Sequence, residues 1–298
     1  MKNVSIAIFW VNDMIQYYLG NLSKGKSGLQ LNKGLQISQQ EYVQLFDCFK
    51  FTGFYSVCRS VKNMTIESAA DLEKFFCDLE QKNASICDIK MDKLLITGNK
   101  VFINFLSFIR TFIDVIKHTI SQWNAAELDS FSKLNSELYD EFFGYRFFTR
   151  MRNYVVHYNM PLTTMEDTIS SGVAMYCVRE QLLQYDGWST VRKEIEQLPE
   201  RIDIAPYIVE TKVAISTLYL KSLETIVMSA VKAGEKIAEV CEKNKITSPV
   251  ILVTRDDEIV SMEEFPLQSL RDFFVDLKDH PNYEIDIGQN KIKVTHHV

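Results

Sequence analysis

The sequence predicts a mainly α fold with smaller flanking α+β lobes. Apolar residues recur at helical spacing through most of residues 101–158, the strand-like runs are short and few, and Gly and Pro are sparse, at 11 and 6 among 298 residues. Hydrophobic residues make up 46% of the chain and charged ones 24%, a composition that fills a sizeable core and argues against long disordered stretches. The length exceeds one compact core, so three consecutive parts are expected: residues 1–98 as a mostly helical N-terminal lobe, 99–200 as a helical domain, and 201–298 as a long helix plus a small α+β appendage.

The elements follow from local chemistry. Leu19 to Gln36 is rich in Gly, Ser, Lys and Asn and reads as a loop with room for a short hairpin. A helix is expected from Ser38 to about Val61, because Ser38 with Glu41 three residues later is a reciprocal capping pair. A second helix is expected from Ser68 to Gln81, then a short strand at Leu94 to Thr97 before a Gly98-Asn99 turn. Val101 to Trp123 is the clearest helix. Its polar stripe, Asn104, Ser107, Arg110, Asp114 and Lys117, is narrow, which predicts a nearly surrounded element.

Further helices are expected over Ala126 to Phe143 and Tyr145 to Tyr158, parted at Gly144, and Pro161 forces Met160 out of helical geometry. Beyond it come a strand at Val173 to Val178, a helix from Thr190 to Leu198, and a long helix from Ile208 to Lys243 with Gly234 as its expected interruption. The tail reads as strands Pro249 to Thr254 and Glu258 to Met262 around an Arg255-Asp256-Asp257 turn. A helix from Leu267 to Leu277 and a strand from Tyr283 to Ile287 follow.

Composition excludes some functions. A net charge of -6 is wrong for a protein that grips nucleic acid over its whole surface, so any such contact is local. The six cysteines are widely spaced, which fits reduced thiols and a cytoplasmic location. The apolar run Ser5 to Val11 is cut short by Asn12 and Asp13, and no stretch approaches the ~18 apolar residues of a membrane span. There is no Gly-rich phosphate loop and no H-E-x-x-H, and His280, His296 and His297 lack suitably spaced cysteines, so neither cofactor nor metal is expected.

One segment carries chemistry. Between Glu141 and Glu166 there is no acid, yet Arg146, Arg150, Arg152 and His157 fall there, giving an acidic chain one positive helix. Steps of three and four place Arg146, Arg150, Asn153 and His157 on one face, with Arg152 on its flank. Histidine titrates near neutrality and moves protons, whereas arginine stays charged and grips two phosphate oxygens. That pair is the minimum for cleaving RNA without a metal.

The run Arg152-Asn153-Tyr154-Val155-Val156-His157 resembles the R-x(4-6)-H motif of the HEPN superfamily, over roughly Gly98 to Leu198. The resemblance implies a HEPN-like helical bundle and a homodimer whose two motifs meet in one cleft. It also implies metal-independent endoribonuclease activity leaving 2',3'-cyclic phosphate and 5'-hydroxyl ends. Arg152 and His157 would be catalytic, Asn153 would orient the histidine or touch phosphate, and Asp114 would support the pair. Arg110, Arg146, Arg150 and Tyr158 are candidates for RNA contact or support. Such proteins act as toxins or in antiviral and stress responses, with an antitoxin or regulatory protein as partner. Asn159 stands where some relatives carry a modified tyrosine, so that regulation is not carried over.

Blander readings stand beside these. Arg110 and Asp114 make an ordinary i,i+4 pair, Arg146 and Arg150 have acids within reach, and the aromatics Phe142, Phe143, Tyr145, Phe147 and Phe148 suit core packing better than base stacking. The competing function is a non-catalytic HEPN-like module that dimerises or binds a nucleotide or protein.

Overall fold

The computed structural model describes residues 15–25, 28–81, 90–168, 172–287 and 292–297, which form a mainly helical chain with small antiparallel sheets. The chain opens with β1 (Ile15–Gly25), β2 (Gly28–Ile37), α1 (Gln39–Phe49) and α2 (Phe51–Glu80). Then come α3 (Met91–Trp123), α4 (Glu127–Glu141), α5 (Phe143–His157), β3 (Thr164–Thr168), β4 (Gly172–Val178) and α6 (Arg179–Leu182). A 3-10 turn (Asp186–Val191), α7 (Arg192–Ile195), β5 (Arg201–Ile202) and α8 (Ala205–Glu224) follow. The last part holds α9 (Val227–Asn244), β6 (Pro249–Arg255), β7 (Glu258–Glu264), α10 (Leu267–Leu277), β8 (Tyr283–Ile287) and β9 (Ile292–His296).

Contacts divide the described residues into two units, where the sequence pattern suggested three consecutive parts. One runs from Phe54 to Thr225; the other joins the residues up to Gly53 with those from Ile226 onward. The joining is done by strands. The described residues between Leu19 and Gln36 belong to β1 and β2, which pair antiparallel, and β1 also pairs with β6, Tyr18 opposite Leu252, in a four-stranded sheet ordered β2-β1-β6-β7. Hence the tail is not a separate appendage. The β6–β7 turn falls where expected, with Asp256 and Asp257 at φ 51° and 65°, the left-handed pair that a tight hairpin requires. Ser38 caps α1, its side chain accepting from the Glu41 N–H while Glu41 accepts from the Ser38 N–H.

Several helix boundaries differ from the sequence reading, among them the helix expected from Thr190 to Leu198, which is a 3-10 turn followed by the short α7. The helix begun at Ser38 stops at Phe49 and a new one, α2, runs unbroken to Glu80. Polar Thr65 does not interrupt α2, because its hydroxyl, fully buried, donates to the carbonyl of Val61 one turn back. Leu94 to Thr97 is not a strand: α3 begins at Met91 and passes through Gly98 and Asn99. Gly98 is there for closeness, since a Cβ would lie 2.9 Å from Met175 Sδ and from Phe75. Asn99 is a clasp; its amide donates to the Leu162 carbonyl at 2.8 Å and its Oδ1 accepts from the Leu162 N–H at 3.0 Å. The long C-terminal helix breaks at Thr225 and Ile226, while Gly234 stays helical within α9.

In the unit from Phe54 to Thr225 the core lies among α3, α5 and α8. The expected stripe on α3 is real: Asn104, Ser107, Arg110 and Asp114 are exposed, and Phe102, Phe105, Ile109, Phe112, Ile116 and Ile120 are buried. A three-stranded sheet, β3-β4-β5, follows α5. No single described helix is long and apolar enough to cross a membrane. The five described cysteines are free thiols, and burial pushes that of Cys58 up to about 12 despite a hydrogen bond with Ser222.

Candidate functional site

The helix that carries the motif is held by its aromatic side. Tyr145, Phe147, Phe148, Met151 and Tyr154 are buried. Phe148 meets Phe102 and Phe105 edge-on, with ring centres 5.4 and 5.7 Å away, and Phe147 stacks on Trp188 at 5.9 Å. These aromatics of α5 are core, as packing favours. Gly144 does not part α4 from α5; the break is at Phe142, which takes an extended conformation. Gly144 sits in the first turn because a Cβ there would lie 2.6 Å from the Tyr207 carbonyl oxygen of α8. Its N–H, an orphan donor of the helix start, donates to the Glu210 carboxylate at 2.6 Å, where the helix dipole favours negative charge.

With that side fixed, Arg146, Arg150, Asn153 and His157 share the opposite side, where the first three are half-buried and His157 is exposed. They do not share a role. Arg146 is bound inward: its guanidinium forms an ion pair with Glu194 of α7 and donates to the Tyr139 and Asp140 carbonyls at 3.2 and 2.9 Å. The bonded Glu194 raises the Arg146 pKa further above its ordinary value. Arg150 donates from Nε to the Tyr139 hydroxyl at 2.9 Å. Arg110 and Asp114 form the plain i,i+4 pair, 2.8 Å apart with both side chains more than half exposed.

The Arg110–Asp114 pair also lies at the far end of the motif helix. Arg110 is close enough to Tyr145 for its charge to oppose the upward push of burial on that phenol. Twelve residues separate Tyr145 from His157, about 18 Å along a helix axis. Asn99 binds Leu162 and Phe105 meets Phe148, so α3 runs antiparallel to α5 and carries Asp114 away from the His157 end.

Arg152, Asn153 and His157 differ from those neighbours. Among the described residues, none of their side chains has a hydrogen bond or an ion pair to another part of the chain. Arg152 and Asn153 are half-buried and His157 is exposed. His157 is the last residue of α5, which stays regular to its end: the Tyr158 N–H reaches the Tyr154 carbonyl at 2.8 Å, and only with Asn159, bonded to that same carbonyl, does the turn widen. A regular helix turns Arg152 and His157 about 140° apart and separates them by about 7.5 Å along the axis.

Beside His157, the candidate Tyr158 meets residues that the motif did not point to, Gln184 and Tyr185. Tyr158 is 47% exposed as a residue, its ring lies 5.7 Å from that of Tyr185, and its hydroxyl donates to Gln184 Oε1 at 3.2 Å. The segment Gln184-Tyr185-Asp186-Gly187-Trp188 carries a signal: two aromatics around a Gly where a Cβ would lie 2.2 Å from the Tyr185 ring. Below them the Tyr154 phenol is buried, which pushes it up to about 12, and its hydroxyl has no partner among the described residues. Two hollows, of about 330 and 400 Å³, belong to the other unit and are lined by residues such as Tyr17 and Ile37, or Phe49 and Glu263; no candidate site residue lines either. Comparison of the chain with known protein families, with curated proteins and with solved structures finds no match in any of the three.

Proposed function

We propose that this chain is a metal-independent endoribonuclease of HEPN type, a HEPN-like helical bundle that acts in the cytoplasm on single-stranded or looped RNA. One observation carries the reading. Of the cationic and polar side chains on or near α5, Arg110, Arg146 and Arg150 are held by partners within the chain, whereas Arg152, Asn153 and His157 have none among the described residues. Structural demands account for the first three and leave the motif residues over.

In this reading the 2'-hydroxyl attacks phosphorus and the 5'-oxygen leaves, giving a 2',3'-cyclic phosphate and a 5'-hydroxyl. His157 takes or gives the proton, Arg152 holds the charge that grows on the phosphate, and Asn153 orients the ring or touches phosphate. The 140° between Arg152 and His157 favours a homodimer, in which each copy completes the other's cleft, because no bend of α5 is then needed. Defence, toxin or stress response is the setting, and an antitoxin or regulatory protein the further partner.

The test is cleavage of single-stranded RNA in excess chelator. His157→Ala and Arg152→Ala are each expected to slow it about 10²- to 10³-fold, the usual cost of one transition-state donor. Equal rates in wild type and His157→Ala end the proposal. The same 140° also suits a binding module, and RNA retention without turnover, weakened by Arg152→Ala but not by His157→Ala, selects that reading instead.

A further inference from the structure

We infer that Tyr158 is a stacking platform for one unpaired nucleobase at the end of α5, which would make the surface selective for single strands. The inference rests on the reading that this end of α5 meets RNA, and it adds what the site would recognise. An exposed tyrosine alone means little, since single apolar side chains are common on protein surfaces. This ring differs because it is the outer end of a ladder that begins in the core. Phe147 stacks on buried Trp188 at 5.9 Å, Trp188 on buried Tyr154 at 5.5 Å, and the Tyr158 ring lies 5.4 Å from Tyr154 and 5.7 Å from Tyr185.

Tyr158 is thus fixed from three directions: by Tyr154, by Tyr185, and by Gln184 at its hydroxyl. Tyr185 is itself wedged edge-on to Trp188 at 5.8 Å. A ring so held loses little freedom when something lands on it, and 47% of the residue remains open to receive a base. Every base has a π-face, so such a platform takes any sequence but needs the base unstacked from its own duplex. Its place in the chain supplies the rest. His157 is the preceding residue, and Arg152 and Asn153 lie within the last two turns of the same helix, so a base on Tyr158 would bring its phosphate to their end of α5.

The experiment measures binding apart from cleavage. The full chain carrying His157→Ala is titrated with a short, 5'-labelled, mixed-sequence RNA, as single strand and as duplex, and Tyr158→Ala and Tyr158→Phe are added to that background. Stacking contributes about 1–3 kcal/mol per base, so Tyr158→Ala should raise the single-strand Kd about 5- to 150-fold and leave the duplex Kd unchanged. Tyr158→Phe, which keeps the ring and loses only the Gln184 bond, should stay within about twofold of its parent. The inference is overturned if Tyr158→Ala binds single strands like its parent, if Tyr158→Phe loses as much as Tyr158→Ala, if the parent binds no single strand, or if Tyr158→Ala changes only the oligomeric state. Tyr158-dependent binding alongside a wild type that cleaves nothing would end the nuclease reading and keep this one.

Discussion

At the scale of single residues, partners decide which charges are free to act. Arg146 and Arg152 lie on the same helix and look equivalent in sequence, but Arg146 is four-fifths buried at its side chain and joined to Glu194 and two carbonyls. Removing it strands a carboxylate and two acceptors, at a cost of about 1–3 kcal/mol. Arg146→Ala should therefore lower the melting temperature by several degrees in a calorimetric scan and, under the proposed function, leave cleavage per folded molecule close to wild type. Arg152→Ala should do the reverse. An Arg146→Ala protein as stable as wild type would show that Glu194 and the carbonyls are satisfied without it. Of the motif, the sequence alone supplied Arg152, Asn153 and His157. It left open whether Arg146 and Arg150 serve RNA or the fold, because an acid 48 residues away is invisible to spacing along one helix.

At the scale of elements, close approach explains more than propensity does. Gly98, Gly144 and Gly234 look like turns or interruptions in sequence, and all three are helical. Gly144 is the sharpest instance. A methyl group there would meet the backbone oxygen and Cα of Tyr207 at 2.6 and 2.7 Å, and a backbone cannot swing aside as a side-chain tip can. Gly144→Ala should thus force α5 away from α8 and cost about 1–3 kcal/mol, although alanine is the better helix former. Urea unfolding gives the sign: a variant more stable than wild type would mean that the two helices are not in contact. The capping pair at Ser38 and the Asp256-Asp257 turn, by contrast, were legible because their causes lie within four residues of chain.

At the scale of the whole molecule, the unit that holds the motif is continuous and the other is not. Residues 54–225 include α3, α5, α8 and the three-stranded sheet, with their own core. A fragment of those residues is expected to unfold in one cooperative transition, and to cleave RNA as the full chain does if the motif is the active site. Truncation after Thr225 should leave β1 without β6, so that its amides exchange freely while those of α3 and α5 stay protected. Hydrogen exchange on the truncated chain checks both halves of that expectation. Slow exchange throughout β1 would mean that the β1–β2 pair stands without β6.

The sequence by itself determined the mainly helical class, the polar stripe on α3, the extents of α4 and α5 to within three residues, and the motif at the end of α5. All of these rest on interactions within a few turns of chain, where the spacing of residues is the geometry. Tertiary structure decided which helices run through their glycines, and it joined β1 to β6 across more than two hundred residues. It also gave Arg146 to Glu194 and built the ring ladder that ends in Tyr158. Those outcomes depend on which surfaces meet in space, and a one-dimensional pattern carries no distance between residues far apart along the chain.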